Sequence, residues 1–245
     1  MTGAPLLIAG TGGFARETAE LVHACNQIQP RWDLRGFLDD DPATHGRTLG
    51  GVTVLGPIDV EAIGTAAVVV CTGSPENYFS RALIVARLGL SDDRYATLVH
   101  PTAAIGGSVA IGAGTVIHAQ TVMTADVSVG DHVAVMPSVV LTHDDVVEDF
   151  VTFGSGARIA GTVTIGRGAY LGAGAMVREH RTIGAWSLVG MGSVVTVDVP
   201  PHQRWMGVPA RHSSCVEVPT DLLDARPTAI DLLDPPPPRV GQGAP

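Results

Sequence analysis

Read in steps of six from Val99, the chain places an apolar residue at every step. Val99, Ile105, Ile111 and Ile117 open a series that runs unbroken for 17 steps to Val195. At 45% apolar composition, chance would produce such a run roughly once in a million. Four places after each step, 15 of 17 residues are Ala, Val, Ser or Thr, and one place after it 8 of 17 are Gly. This period predicts a parallel β-helix in which three hexads make one triangular coil of 18 residues. Small side chains let successive coils stack at ~4.8 Å, and Gly tolerates tight corners. The 17 hexads amount to between five and six coils.

The register also assigns faces. Hexads at 105, 123, 141, 159 and 177 share face A, those at 111, 129, 147, 165 and 183 face B, and those at 117, 135, 153, 171 and 189 face C. The residue before each aliphatic step should point outward. On face A these are Ala104, Val122, Val140, Arg158, Met176 and Val194, and on face C Val116, Ala134, Thr152, Tyr170 and Leu188. Both sets are largely apolar, whereas face B is more polar. Exposed apolar faces mark interfaces. The expectation is that face A packs on face C of a neighbour and that three copies close a ring, a homotrimer.

Before Val99 the pattern changes. "PLLIAG", "LRGFLDDD" and "AAVVVCTG" read as buried strands, and "FARETAELVHAC" and "ENYFSRALIVARLGL" have helical spacing. Residues 1–98 are therefore read as a βαβ unit with a parallel sheet, residues 99–211 as the β-helix domain, and residues 212–245, with "PPPP" and "GQGAP", as a disordered tail.

Composition excludes several classes. The net charge is −9 and all 15 basic residues are Arg, without a basic block, so nucleic acid is not an expected partner. No apolar run reaches the ~18 residues of a membrane span. Three scattered cysteines form neither a disulfide framework nor a zinc pattern, which points to a reducing cytoplasm. His118, His132 and His180 lack the spacing of a metal site and are read as surface corners.

The chemistry-bearing interruption of the repeat is "SVVLTHDDVVEDF". His143 and Asp144 fall at the corner between faces A and B. In the same corner column the preceding coil has Ala125 and the following coil Gly161, which leaves room for a ligand. A His can take a proton at neutral pH, and a neighbouring carboxylate orients it. Asp145 breaks the inward pattern. Arg181, the other inward exception, lies two coils on in the same column and is the candidate to compensate it. In the first unit "GTGGFARE" follows a strand and opens a helix, so Gly10, Gly12 and Gly13 could let backbone approach a phosphate.

Residues 3–211 resemble the hexapeptide-repeat acyltransferases of left-handed β-helix fold, specifically the sialic acid O-acetyltransferase-like and nucleotide-amino-sugar N-acetyltransferase family. The stretches that carry the resemblance are "LLIAGTGGFARE", "GFLDDDP", "VHPTAAIG", "LTHDDVVEDFVTFGSGARIAGTVTIG" and "WMGVPAR". It implies a Rossmann-like first domain that holds the nucleotide of a nucleotide-linked sugar, with Gly10, Gly12 and Gly13 facing phosphates and Asp39 or Asp40 the base or ribose. It implies acetyl-CoA as acyl donor, with His143 as general base, Asp144 as its orienting acid, the Gly161 N–H on the thioester oxygen and the pantetheine arm near Ala173. Phe14 stands where relatives often have His, Thr152 where some carry a second His, and Met136 where some carry Asn; these departures bear on the acceptor. O-acetylation of a free sugar or another small metabolite, and a noncatalytic binding scaffold, are the alternatives.

Overall fold

The computed structural model describes residues 3–223. Its first unit is an α/β layer built from β1 (Ala4–Ala9), α1 (Gly13–Ile28), β2 (Trp32–Leu38), β3 (Thr48–Leu49), β4 (Val52–Gly56), α2 (Val60–Ile63), β5 (Ala67–Val70) and α3 (Ser80–Leu88). The sheet order is β3-β4-β2-β1-β5, parallel throughout except for the β3–β4 hairpin. Leu6, Leu7, Ile8 and Ala9 are all buried, as a central strand covered on both faces requires. Helix α1 turns Ala15, Thr18, Leu21 and Val22 onto that sheet. The β3–β4 hairpin was not expected, although Gly50 and Gly51 (φ 57° and 83°) supply the positive dihedrals that a tight hairpin turn needs.

Seventeen two-residue strands follow, and each ends on one of the 17 hexad residues, from Leu98–Val99 to Val194–Val195. They pair in parallel with the strand 18 residues away, Val122 beside Val140 and Met123 beside Leu141, for example. Three sheets result, corresponding to faces A, B and C. Inside the prism, Met123, Leu141, Ile159, Val147, Ile165, Phe153 and Leu171 form one core with the small residues of the turns. Each such side chain contributes about 1.5–3 kcal/mol when fully buried. The turn between faces A and B repeatedly holds a residue in the left-handed region: Asp126, Asp144, Thr162 and His180 have φ between 56° and 61°.

Two expectations are corrected by the packing of the two units. Face C is not free for a neighbour. Its outward residues Val116, Ala134, Thr152 and Leu188 are buried against the chain's own first unit. Ring packing of a face A on a face C is thereby excluded. His118 and His132 likewise sit at corners but are not at the surface. His118 packs on Phe14, and His132 stacks on Phe150 and meets Tyr95 edge-on. His180 is exposed, as expected.

The docking is pinned by Arg81 of α3, which is 1% exposed. Its guanidinium donates to the carbonyls of Thr72, His132, Phe150 and Val151 and to the Thr152 hydroxyl. The tail also begins later than expected. Strand Gln203–Gly207 pairs in parallel with Leu188–Val189, and strand Ala210–Cys215 returns antiparallel. Val216, Val218 and Leu222 then pack against Tyr78, Phe79 and Trp186. Apolar residues at 216, 218 and 222 among polar ones gave this segment something to bury. Residues 224–245 of the expected tail lie outside the described residues.

Candidate active site

The turn after strand Val140–Leu141 presents His143 outward, with its side chain 62% exposed. Asp144, in the left-handed conformation (φ 59°), brings its carboxylate back to the ring, and His143 Nδ1 lies 2.8 Å from Asp144 Oδ2. Asp is among the residues that tolerate this backbone region, so one residue both makes the turn and accepts the bond. A neutral imidazole donating from Nδ1 to Asp144 has its Nε2 lone pair free to accept a proton.

One coil on, Gly161 lies directly under the ring. A Cβ built on Gly161 would fall within the van der Waals envelope of the His143 Cε1 and Nε2 atoms. Among the described residues, the Gly161 N–H makes no hydrogen bond. The structure thus brings together His143, Asp144 and Gly161: an accessible imidazole, a carboxylate bonded to it and an amide N–H without a partner among the described residues.

Asp145 is fully buried behind this corner. Its Oδ2 accepts the Thr142 N–H and its Oδ1 the Val163 N–H, both at 2.9 Å. Burial pushes its carboxyl up to about 7, against the two N–H bonds and the His143 charge, which pull it down. The expected compensation by Arg181 is absent. Arg181 turns to the Glu179 carbonyl and lies 3.5 Å from Asp198.

Ala173 is not at this corner. It follows strand Tyr170–Leu171 of face C and is exposed in the turn leading to face A. There it lines an apolar groove of about 460 Å³ with Tyr170, Leu188, Met191, Arg204 and Met206. Ala173 and Gly161 therefore border face A on opposite edges.

The glycine loop meets the β-helix near the Ala173 edge, where Phe14 packs on His118. Gly10 (φ 115°) abuts Cys71 of the neighbouring strand end, so a side chain there has no room. Gly12, which caps α1, and Gly13 are exposed with open space before them. Of the two acids, Asp39 is the one at this loop, accepting from the Thr11 hydroxyl at 2.5 Å. Asp40 points elsewhere and braces Arg87 and the Ile58 N–H. A hollow of about 370 Å³ opens beside Gly13, between Arg16, Glu17, Phe37 and Gly50. Among the described residues, no cluster of three His, Cys, Asp or Glu could hold a metal. Among the described residues, no helix is long and apolar enough to cross a membrane.

Neither a protein-family model nor a curated protein matches the chain. Solved structures do. A mutant of perosamine N-acetyltransferase from Caulobacter crescentus, with one His replaced by Asn and bound to CoA and GDP-perosamine, is 28% identical at a TM-score of 0.76, over 87% of this chain and 98% of that one. The acetyltransferase domain of PglB from Neisseria gonorrhoeae, in complex with acetyl coenzyme A, is 27% identical at a TM-score of 0.73, over 86% of this chain and 100% of that one. WeeI from Acinetobacter baumannii is likewise 27% identical at 0.73, over 86% and 100%.

The fold and these likenesses place the chain among the left-handed β-helix acyltransferases. Within that class the structures it resembles are hexapeptide-repeat sugar acetyltransferases, the same resemblance that the sequence carries.

Proposed function

We propose that this chain is an acetyl-CoA-dependent N-acetyltransferase acting on an amine of a nucleotide-linked sugar, with His143 as general base. The observation that carries the reading is the corner itself, with His143 Nδ1 held by Asp144 and the ring seated on Gly161. The sugar amine attacks the thioester carbonyl carbon while His143 Nε2 takes its proton. The oxyanion that forms is met by the Gly161 N–H, a donor that needs no reorganisation. Collapse breaks the C–S bond, and the imidazolium returns the proton to the departing thiolate. The structures with CoA and GDP-perosamine or acetyl coenzyme A support donor and acceptor class.

The first unit is read as Rossmann-like, with the open backbone of Gly12 and Gly13 for phosphates, Asp39 for the base or ribose, and Ala173 beside the pantetheine arm. Face A lies between that half and His143, and its outward Val122 and Met176 are exposed. A second copy seated on face A would close a groove at each edge and join the two halves, consistent with a homotrimer. The three unpaired cysteines fit a cytoplasmic enzyme.

The test is thiol release from acetyl-CoA with UDP-, dTDP- and GDP-linked 4-amino sugars. His143→Ala should lower kcat by roughly 10²–10⁴-fold; unchanged turnover overturns the mechanism. Light scattering should give three copies at micromolar protein, and a monomer would sink the shared site.

A further inference from the structure

Asp145 is the one acidic residue at an inward position of the repeat, and the proposed mechanism does not use it. In the same column the coils before and after carry Val127 and Val163, which accept nothing. The Asp145 carboxylate instead reaches two backbone donors on different coils. One belongs to Thr142, which precedes the base. The other belongs to Val163, two residues beyond Gly161. Between those anchors lie both groups the reaction needs.

We propose that Asp145 is a positioning residue that clamps the His143 turn to the Gly161 turn, fixing the base and the amide donor relative to each other. This rests on the reading of His143 as base. The clamp requires both oxygens as acceptors, hence the ionised carboxylate. An amide side chain must turn its NH2 toward one of the two N–H groups and lose that bond, and protonation makes the oxygen that carries the proton a weaker acceptor. Such a loss frees the two turns to separate, and small misplacements of reacting groups are costly in rate.

The charges around it are few. His143 and Asp144 act on it from its own turn, with His143 favouring the ionised form and Asp144 opposing it. The preceding turn, 124–127, adds only the exposed Asp126, and the following turn, 160–163, carries no titratable side chain. The facing core is apolar. Burial is the dominant influence and holds the group at about 7, so its ionisation falls within the working range of an enzyme. Ionisation of Asp145 then adds a requirement of its own to the acid side of the rate profile.

The experiment compares wild type, Asp145→Asn, Asp145→Val and His143→Ala in acetyl-CoA thiol release, using whichever of the UDP-, dTDP- or GDP-linked 4-amino sugars the wild type accepts. The expected result is kcat lower by tenfold or more in both Asp145 variants, with KM for both substrates within twofold. The acid limb of log kcat should be less steep in Asp145→Asn than in wild type by the one proton that Asp145 takes up. Asp145→Val restores the repeat and should fold, which separates positioning from core packing. Unchanged kcat and limb in both variants overturn the clamp.

A second readout is independent of turnover. The Thr142 and Val163 amide resonances should titrate together near pH 7 in wild type and not in Asp145→Asn. If wild type releases no thiol with any sugar, the functional reading fails, and these resonances alone decide whether the clamp exists; amides that do not titrate overturn it.

Discussion

At Gly161 the requirement for glycine comes from a side chain and not from the backbone. Its φ lies outside the left-handed region, so alanine would fit the chain, and the obstacle is the His143 ring. Gly161→Ala should therefore displace the imidazole without unfolding the coil. The expected outcome is kcat reduced by about 10²-fold with melting temperature changed by less than about 2 °C, read by steady-state kinetics and calorimetry. His143, Asp144 and Gly161 were legible in the sequence because the 18-residue column put them at one corner. Asp145 was legible as an exception but not as a clamp. Its partners are backbone N–H groups, and any residue except proline supplies one, so composition carries no trace of them. Asp39 and Asp40 were indistinguishable in "LDDD", since only the fold turns one to Thr11 and the other to Arg87.

For the elements, legibility followed periodicity. The hexads repeat without a break, so all 17 short strands could be read in advance. What covers face C could not, because a pattern marks an apolar surface without naming its partner. Arg81 shows the same limit. In "SRALIVARL" it looks like an ordinary helical arginine, and most of the carbonyls it satisfies lie 51 to 70 residues away. Arg81→Met would leave buried carbonyls on α3's landing site without donors. Each such group costs about 1–3 kcal/mol, so a fall in melting temperature of about 6–12 °C is expected by calorimetry. The β-helix, whose own ladders are untouched, should retain its strand signal in circular dichroism after the first unit has detached.

For the whole molecule, the union of the two units buries two imidazoles, and this sets an acid limit. Burial lowers His118 to about 4, helped by His100, and lowers His132 to about 3, helped by Arg81 and Arg167. Their stabilising contribution is complete above the ordinary histidine value of about 6.5 and is lost as pH falls toward those lowered values. Asp145 works in the opposite sense. Raised to about 7, it adds stability as pH falls through that value toward 3.8. Among the groups with large shifts, two imidazoles outweigh one carboxyl, so stability should fall as pH drops from about 6.5 toward 4. Urea midpoints measured across that window should decline, and His132→Phe, which keeps a flat ring between Tyr95 and Phe150, should flatten most of the decline.

The hairpin formed by Gln203–Gly207 and Ala210–Cys215 has a further consequence. A prism of identical coils has no internal reason to stop, since its last rung offers the next the same open N–H and C=O groups that built it. In cross-β fibres that property yields endless growth. On face C of this chain the last parallel rung is met by Gln203–Gly207, and a strand running the other way follows. The reversal acts as a terminator: it gives a one-dimensional lattice a finite length, so that the coils make a discrete enzyme and not a filament.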